Sequence, residues 1–348
     1  MRSPADFAAF LEAYGRRYPP CLTLDAAGDV RQWQRRFRAA VDSLRGPVPE
    51  RVDLRPEVLE ETVLADHRRL LVRVAVSDLI SLPAYVLLPA GLAPGERRAG
   101  LVALHGHVRY GMESICGVRG MDEGDLARRA YGLAAVRAGY VVVAPAWWGW
   151  PQRDGHLERV GTRDRCNVIQ MAAAMYGLNV LDLHIQDGQA AVDLLAGLDA
   201  VDAARIGCLG NSYGGRTAMW LTLFEPRIRA CVPAGCMNTF RERSAKLASC
   251  GIQYLPGLLR YGDVPEVFAL IAPRPMQLQA GNGDGLITPA DRDAMLASLR
   301  RVYAACGRPD HLDYVLHDQG HMLVWDEALP FLNRHLGAPP DGDRGAIP

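Results

Sequence analysis

Ile206-Gly207-Cys208-Leu209-Gly210-Asn211-Ser212-Tyr213-Gly214-Gly215 is the stretch from which the fold can be read. A short apolar run over residues 205–209 breaks at Gly210, and an apolar helical pattern over 217–224 begins just after it. A serine with glycines two residues to either side, between a strand and a helix, is the G-x-S-x-G elbow of a nucleophile. The sharp turn holds its apex residue in strained backbone, with the side chain projecting above the sheet. Gly210 and Gly214 lack a Cβ, so strand and helix can close around the apex. Ser212 then stands at a helix N-terminus, whose amides and dipole favour a nearby anion. The motif alone recurs by chance; its place between a predicted strand and a predicted helix is what gives it weight.

The rest of the chain fits one large α/β core. It has 348 residues, 49% apolar and 22% charged, the ordinary composition of a soluble globular protein. The formal net charge is zero and the cations are nearly all arginine, so neither nucleic acid nor a membrane surface is an expected partner. Met1-Arg2-Ser3-Pro4-Ala5-Asp6 lacks the apolar centre of a signal peptide, and no apolar run approaches the roughly 20 residues of a membrane span. The eight cysteines are scattered without metal-ligand or disulfide-framework spacing. Reduced thiols and a cytoplasmic location are the expectation.

Outward from the elbow, the period of the apolar pattern changes several times. Ser3-Pro4 reads as a helix start before Phe7, Phe10, Leu11 and Tyr14, and a second helix is predicted over 29–44, ending at Gly46-Pro47. Strands over 58–89 read as an antiparallel hairpin or meander at one sheet edge. Short apolar strands over 101–104, 140–144, 205–209, 228–232, 276–279 and 312–316 alternate with helical patterns over 125–138, 171–195 (broken near Gly177), 289–305 and 324–336. That alternation predicts a mostly parallel sheet with helices on both faces. The expected organisation is an N-terminal helical extension over 1–56, a catalytic domain over 57–338 and a tail over 339–348. The N-terminal helices either pack on the core, the favoured reading, or make a subunit contact, as in a homodimer.

A serine needs a base, and the base an orienting acid; in such a sheet both belong at the carboxyl ends of strands. Asp284 lies in the Gly281-Asn282-Gly283-Asp284-Gly285 loop after the 276–279 strand, and His321 follows the last strand in His317-Asp318-Gln319-Gly320-His321. The competing readings are an Asx-turn role for Asp284, Asp291 as the acid, and His317 as a structural histidine. For the oxyanion, the backbone amides of Tyr213 and of His107, in the loop after the 101–104 strand, are the expected donors. His105 and His107 are two apart without a nearby acidic partner, a poor metal pattern. No metal and no cofactor are expected.

Leu104-His105-Gly106-His107, Gly139-Tyr140-Val141-Val142-Val143-Ala144-Pro145, Val201-Asp202-Ala203-Ala204-Arg205-Ile206-Gly207, the elbow itself, Ile271-Ala272-Pro273-Arg274-Pro275 and Gly320-His321 together resemble the α/β-hydrolase superfamily, over about residues 101–336. Within it the pattern is most similar to the dienelactone-hydrolase and acetylxylan-esterase-like branch. The resemblance implies the α/β-hydrolase fold, Ser212, Asp284 and His321 as the triad, and hydrolysis of a small or medium carboxylic ester. Lactone, thioester, amide or C–C cleavage uses the same groups, and a non-catalytic ligand-binding protein is the rival from another class. One segment departs from the pattern. Where relatives usually carry Asp followed by an Arg-Gly-type turn, this chain has Pro145-Ala146-Trp147-Trp148-Gly149-Trp150. Trp147, Trp148 and Trp150 are expected to form an apolar wall for substrate, with Tyr254 opposite; packing against neighbouring loops is the alternative.

Overall fold

A computed structural model describes residues 6–24, 28–153, 165–246 and 250–338. The Ser3-Pro4 helix start and the 339–348 tail lie outside these residues. The described first helix, Phe7–Arg17, is capped by Asp6, whose carboxylate accepts the Ala9 amide.

Nine strands form one sheet: β1 Glu57–Val63, β2 His67–Ala75, β3 Ser81–Pro89, β4 Arg98–Leu104, β5 Val141–Pro145, β6 Val201–Asn211, β7 Ile228–Ala234, β8 Met276–Gly281 and β9 Leu312–His317. Their order is β1-β2-β3-β5-β4-β6-β7-β8-β9. β1, β2 and β3 pair antiparallel, β3 joins β5 antiparallel, and every pair from β5 across to β9 is parallel. The edge strand β1 is almost wholly exposed and carries Glu57, Glu60 and Glu61, charges of the kind that deter edge-to-edge pairing.

The central strands are buried on both faces, which is why they read as continuous apolar runs. The two-residue period divides them. Leu101 and Ala103 of β4, with Val142 and Ala144 of β5, pack under the helices Tyr131–Arg137 and Trp325–Leu336. Val102, Leu104, Val141 and Val143 face the opposite layer, which includes the helices Val180–Ala196, Tyr213–Phe224 and Pro289–Ala305. The helix Val30–Leu44 adds Trp33, Phe37 and Val41, four residues apart, to that second layer. Its Gln34 amide donates to the carbonyls of Ala269 and Ala272, both at 2.9 Å. By contrast Phe7–Arg17 buries no residue of its own. No helix among the described residues is long and apolar enough to cross a membrane.

Two predicted helices are interrupted. The 171–195 pattern divides into Arg165–Ala174 and Val180–Ala196 around Gly177, whose φ is +73°. The 125–138 pattern divides at Ala130 into Glu123–Arg129 and Tyr131–Arg137. There the Tyr131 hydroxyl donates 2.6 Å to the carbonyl of Leu104, at the end of β4. The break residue is an alanine, with Gly132 two residues on, and a tertiary hydrogen bond accompanies it.

β4 is the point where the winding of the sheet reverses, since β5 lies on one side of it and β6 on the other. Loops leaving β4 and β6 therefore diverge to opposite faces and open a crevice at their carboxyl ends, the usual place for a ligand in an open α/β sheet.

Candidate active site

The elbow forms as its residues dictate. Ser212 has φ +61° and ψ −120°, a strained geometry for a residue with a side chain. It is held there by its amide, which donates 2.8 Å to the carbonyl of Ala234 at the end of β7. A Cβ added to Gly214 would lie 1.9 Å from the Leu104 carbonyl oxygen, and one on Gly210 would lie 2.5 Å from the Gly214 carbonyl. No side chain fits at either position, which is the physical content of the motif's two glycines.

Asp284 and His321 come from the loops after β8 and β9. His321 Nδ1 is 2.7 Å from Asp284 Oδ2, and the Leu286 amide donates 2.9 Å to Asp284 Oδ1. Burial acts to raise the pKa of Asp284, but the hydrogen bonds from His321 and Leu286 and the nearby charges outweigh it, leaving the pKa below the ordinary carboxylate value. The carboxylate is sealed in, with its side chain 1% exposed, whereas the imidazole is 30% exposed. An acceptor at Nδ1 fixes the proton there and leaves Nε2 as the basic nitrogen.

The elbow and the histidine loop are tied together directly. Asn211 Nδ2 donates 3.2 Å to the carbonyl of His321. Gly235, at φ +60°, runs beneath the ring: a Cβ there would lie 3.1 Å from His321 Cε1, 3.2 Å from Nδ1 and 2.6 Å from Asn211 Oδ1. Ser212 and His321 line one small cavity of about 50 Å³, together with Gly106, His107, Tyr131 and Met322. The β4 loop lies against the serine, since a Cβ on Gly106 would be 3.1 Å from Ser212 Cβ and 3.5 Å from the Tyr213 amide nitrogen.

Asp291 and His317 lie outside this arrangement. Asp291 borders a separate groove of about 1250 Å³ between the first helix and residues 239–246 and 254–263. Burial and the neighbouring Glu242 raise its pKa. His317 accepts the Gln319 amide at Nδ1, 3.3 Å away. His105 is wholly buried: Nε2 accepts the Trp147 amide at 3.1 Å, and burial pushes its pKa down to about 3. It is a neutral strut for the loop after β5.

The substrate wall expected from the tryptophans needs correction. Trp147 is 1% and Trp150 6% exposed, and neither borders the cavity beside Ser212. Their indole N–H groups donate to the carbonyls of His105 at 3.1 Å and Val108 at 2.7 Å. A buried indole needs such a partner, and the β4 loop supplies it, so the rings hold two loops together. Trp148 is half-buried, with the Arg153 guanidinium 3.6 Å from its ring centroid. Tyr254 packs edge-on against Phe240 at 5.0 Å and borders the larger groove, not the small cavity.

Several supporting residues carry no sequence signal. Arg153 and Asp187 form a buried ion pair, Nη1 to Oδ2 2.5 Å, and the same Nη1 donates 3.2 Å to the Ala146 carbonyl. This pair anchors the loop whose aspartate is missing from the pattern. His184 accepts the Trp148 amide at 3.2 Å through Nε2, while its Nδ1 lies 2.5 Å from the Tyr213 hydroxyl. Arg216, buried on the elbow helix, donates 2.6 Å to Asn238 Oδ1, and Asn238 Nδ2 donates 3.0 Å to the Leu286 carbonyl in the acid loop. Apart from the Ala146 carbonyl, each partner is 22 or more residues away in sequence, so only the folded chain reveals the link.

No family model matches the chain. Over 206 residues it is 31% identical to YtaP of Bacillus subtilis (strain 168), a protein named as a hydrolase; the match covers 57% of this chain and 66% of YtaP. The chain thus spans a little under two thirds of that relative's length. Among solved structures, a protein named as an acetyl xylan esterase from Bacteroides fragilis NCTC 9343 superposes with a TM-score of 0.72 at 18% identity, covering 90% of this chain and 83% of its own. A glucuronoyl esterase from Solibacter usitatus gives 0.66 at 16% identity, covering 92% of this chain and all of the other. Acetyl Xylan Esterase 1 from Thermoanaerobacterium sp. JW/SL YS485 gives 0.53 at 17% identity, with 96% and 99% covered. The nine-stranded sheet, the elbow at its switch point and these neighbours agree: the chain has the α/β-hydrolase fold, in the structural neighbourhood of acetyl xylan and glucuronoyl esterases.

Proposed function

We propose that the chain is a serine-dependent hydrolase of carboxylic esters with a small acyl group, using Ser212 as nucleophile, His321 as base and acid, and Asp284 as the orienting carboxylate. The observation that carries this reading is the Asp284–His321 hydrogen bond of 2.7 Å beside a cavity that His321 shares with a strained Ser212. His321 Nε2 takes the Ser212 proton and the alkoxide attacks the ester carbonyl. The tetrahedral oxyanion is received by the amides of Tyr213 and His107. His321 then protonates the leaving alkoxide, and a water activated by the same nitrogen releases the acid from the acyl-enzyme. Asp284 stays ionised throughout and stabilises the imidazolium.

The small cavity beside Ser212, about 50 Å³, favours an acyl group of acetyl size. A panel of 4-nitrophenyl esters from acetate to octanoate, run with the wild type and Ser212→Ala, tests both parts. Turnover fastest on acetate and abolished in the variant supports the reading; hydrolysis that survives Ser212→Ala ends it.

A further inference from the structure

The notable cluster outside the triad joins the β4 loop to two distant segments. One ring nitrogen of His107 and the Sγ atoms of Cys166 and Cys250 lie within 4.8 Å of one another, and His107 Nε2 is 3.4 Å from Cys166 Sγ. We propose that these three residues form a binding site for a thiophilic divalent cation, Zn²⁺ above all.

The spacing is that of a metal's ligands. Zinc–sulfur bonds of about 2.3 Å and zinc–nitrogen bonds of about 2.0–2.1 Å at tetrahedral angles place N and S about 3.6 Å apart, and two S atoms about 3.8 Å apart. The observed 3.4 Å between His107 and Cys166 falls beside the first value. Two thiols and an imidazole are soft and borderline donors, so Mg²⁺ and Ca²⁺, which require oxygen, are excluded by chemistry.

The surroundings hold the donors in place. Cys166 is buried in the first turn of the helix Arg165–Ala174. One residue on, Asn167 accepts the Gly251 amide at 2.8 Å, which fixes the backbone beside Cys250. The His107 ring packs against those of Trp150 and Tyr213, centroids 5.4 and 5.3 Å away. Three protein ligands leave a fourth position for water or another small donor. A bound ion would clamp the β4 loop, which carries the His107 amide, to the helix and turn that bear the cysteines.

The test is titration of the full-length, reduced protein with Co²⁺, after thiol counting has shown all eight cysteines free. The expected result is a thiolate-to-cobalt charge-transfer band with the visible spectrum of tetrahedral cobalt, displaced by Zn²⁺. Cys250→Ser should weaken binding by more than about a hundredfold, at least the loss seen when an outer-shell partner of a metal ligand is removed. Cys306→Ser, on a residue remote from the cluster in sequence and also free, should bind as the wild type does. Zn²⁺ should raise the thermal midpoint of the wild type and not that of Cys250→Ser. A reduced protein without the band, or a band unchanged in Cys250→Ser, overturns the proposal. Ester turnover of metal-free Cys250→Ser reports on the hydrolytic site separately, so failure of one reading is distinguishable from failure of the other.

Discussion

Replacing Gly235 with alanine perturbs His321 without substituting any of the three proposed catalytic residues. The new methyl would sit 3.1 Å from Cε1 and 3.2 Å from Nδ1 of the imidazole, and 2.6 Å from Asn211 Oδ1. Carbon atoms pack comfortably at roughly 3.5–4.0 Å, so the ring must retreat by about half an ångström. Asn211 must also move, and it holds the His321 carbonyl at 3.2 Å. A misplacement of about 1 Å can cost about a hundredfold in rate, so half of that corresponds to about tenfold, and the coupled shift of Asn211 extends the range to about a hundredfold. The φ of +60° adds roughly 1–2 kcal/mol of backbone strain for a residue with a Cβ. Gly307→Ala is the matched control: φ is +72° there, but nothing lies within 4 Å of the added methyl. Initial rates on 4-nitrophenyl acetate and thermal unfolding of both variants decide the matter. Both should lose the stability that the backbone strain costs, Gly235→Ala more because of its contacts, and only Gly235→Ala should lose turnover, assayed well below the unfolding midpoint of either variant. Equal turnover in the two variants would refute the placement of His321 in the reacting group.

Other substitutions probe the remaining parts. Ser212→Ala and His321→Ala should each lower kcat by more than about a thousandfold, and Asp284→Asn somewhat less, measured on the same ester with folding checked by circular dichroism. Asp187→Asn leaves the buried Arg153 without its counter-charge and should cost about 3–5 kcal/mol in a denaturant titration; Arg153 and Asp187 changed together should cost less than the sum of the single changes. Stability should fall on mild acidification. Burial holds the pKa of His105 at about 3 against an ordinary 6.5, so between those values the unfolded chain takes a proton that the folded chain refuses. The loss begins near pH 6.5, reaches about 2 kcal/mol at pH 5 from His105 alone, and has the same sign for His184, whose pKa burial also lowers. Urea midpoints from pH 8 to pH 5 measure it, and His105→Gln should flatten the slope.

What could be read from the sequence was local. The two glycines of the elbow state a steric requirement that needs no tertiary knowledge, and a buried strand followed by a Gly-rich loop places Asp284 and His321 at the same rim. The alternation of strand and helix patterns similarly gave the layered sheet and its antiparallel edge. The sequence leaves the tryptophan segment open between a substrate wall and loop packing because an indole's surroundings depend on which carbonyl reaches its N–H; for Trp147 and Trp150 those carbonyls belong to His105 and Val108, 42 residues earlier in each case. Arg153 with Asp187, and Arg216 with Asn238, were invisible for the same reason: a charge in a helical or loop pattern reads as solvated until its partner is folded beside it. Likewise His107, Cys166 and Cys250 have no spacing in common, and only the crossing of three segments assembles them.

The most direct test of the nucleophile is chemical. The protein is treated with a fluorophosphonate, digested, and the adduct located by peptide mass. A single adduct on Ser212, formed at the rate at which esterase activity disappears and slowed severely in His321→Ala, is the predicted result. An adduct on another serine, or esterase activity that persists with Ser212 fully labelled, would contradict it.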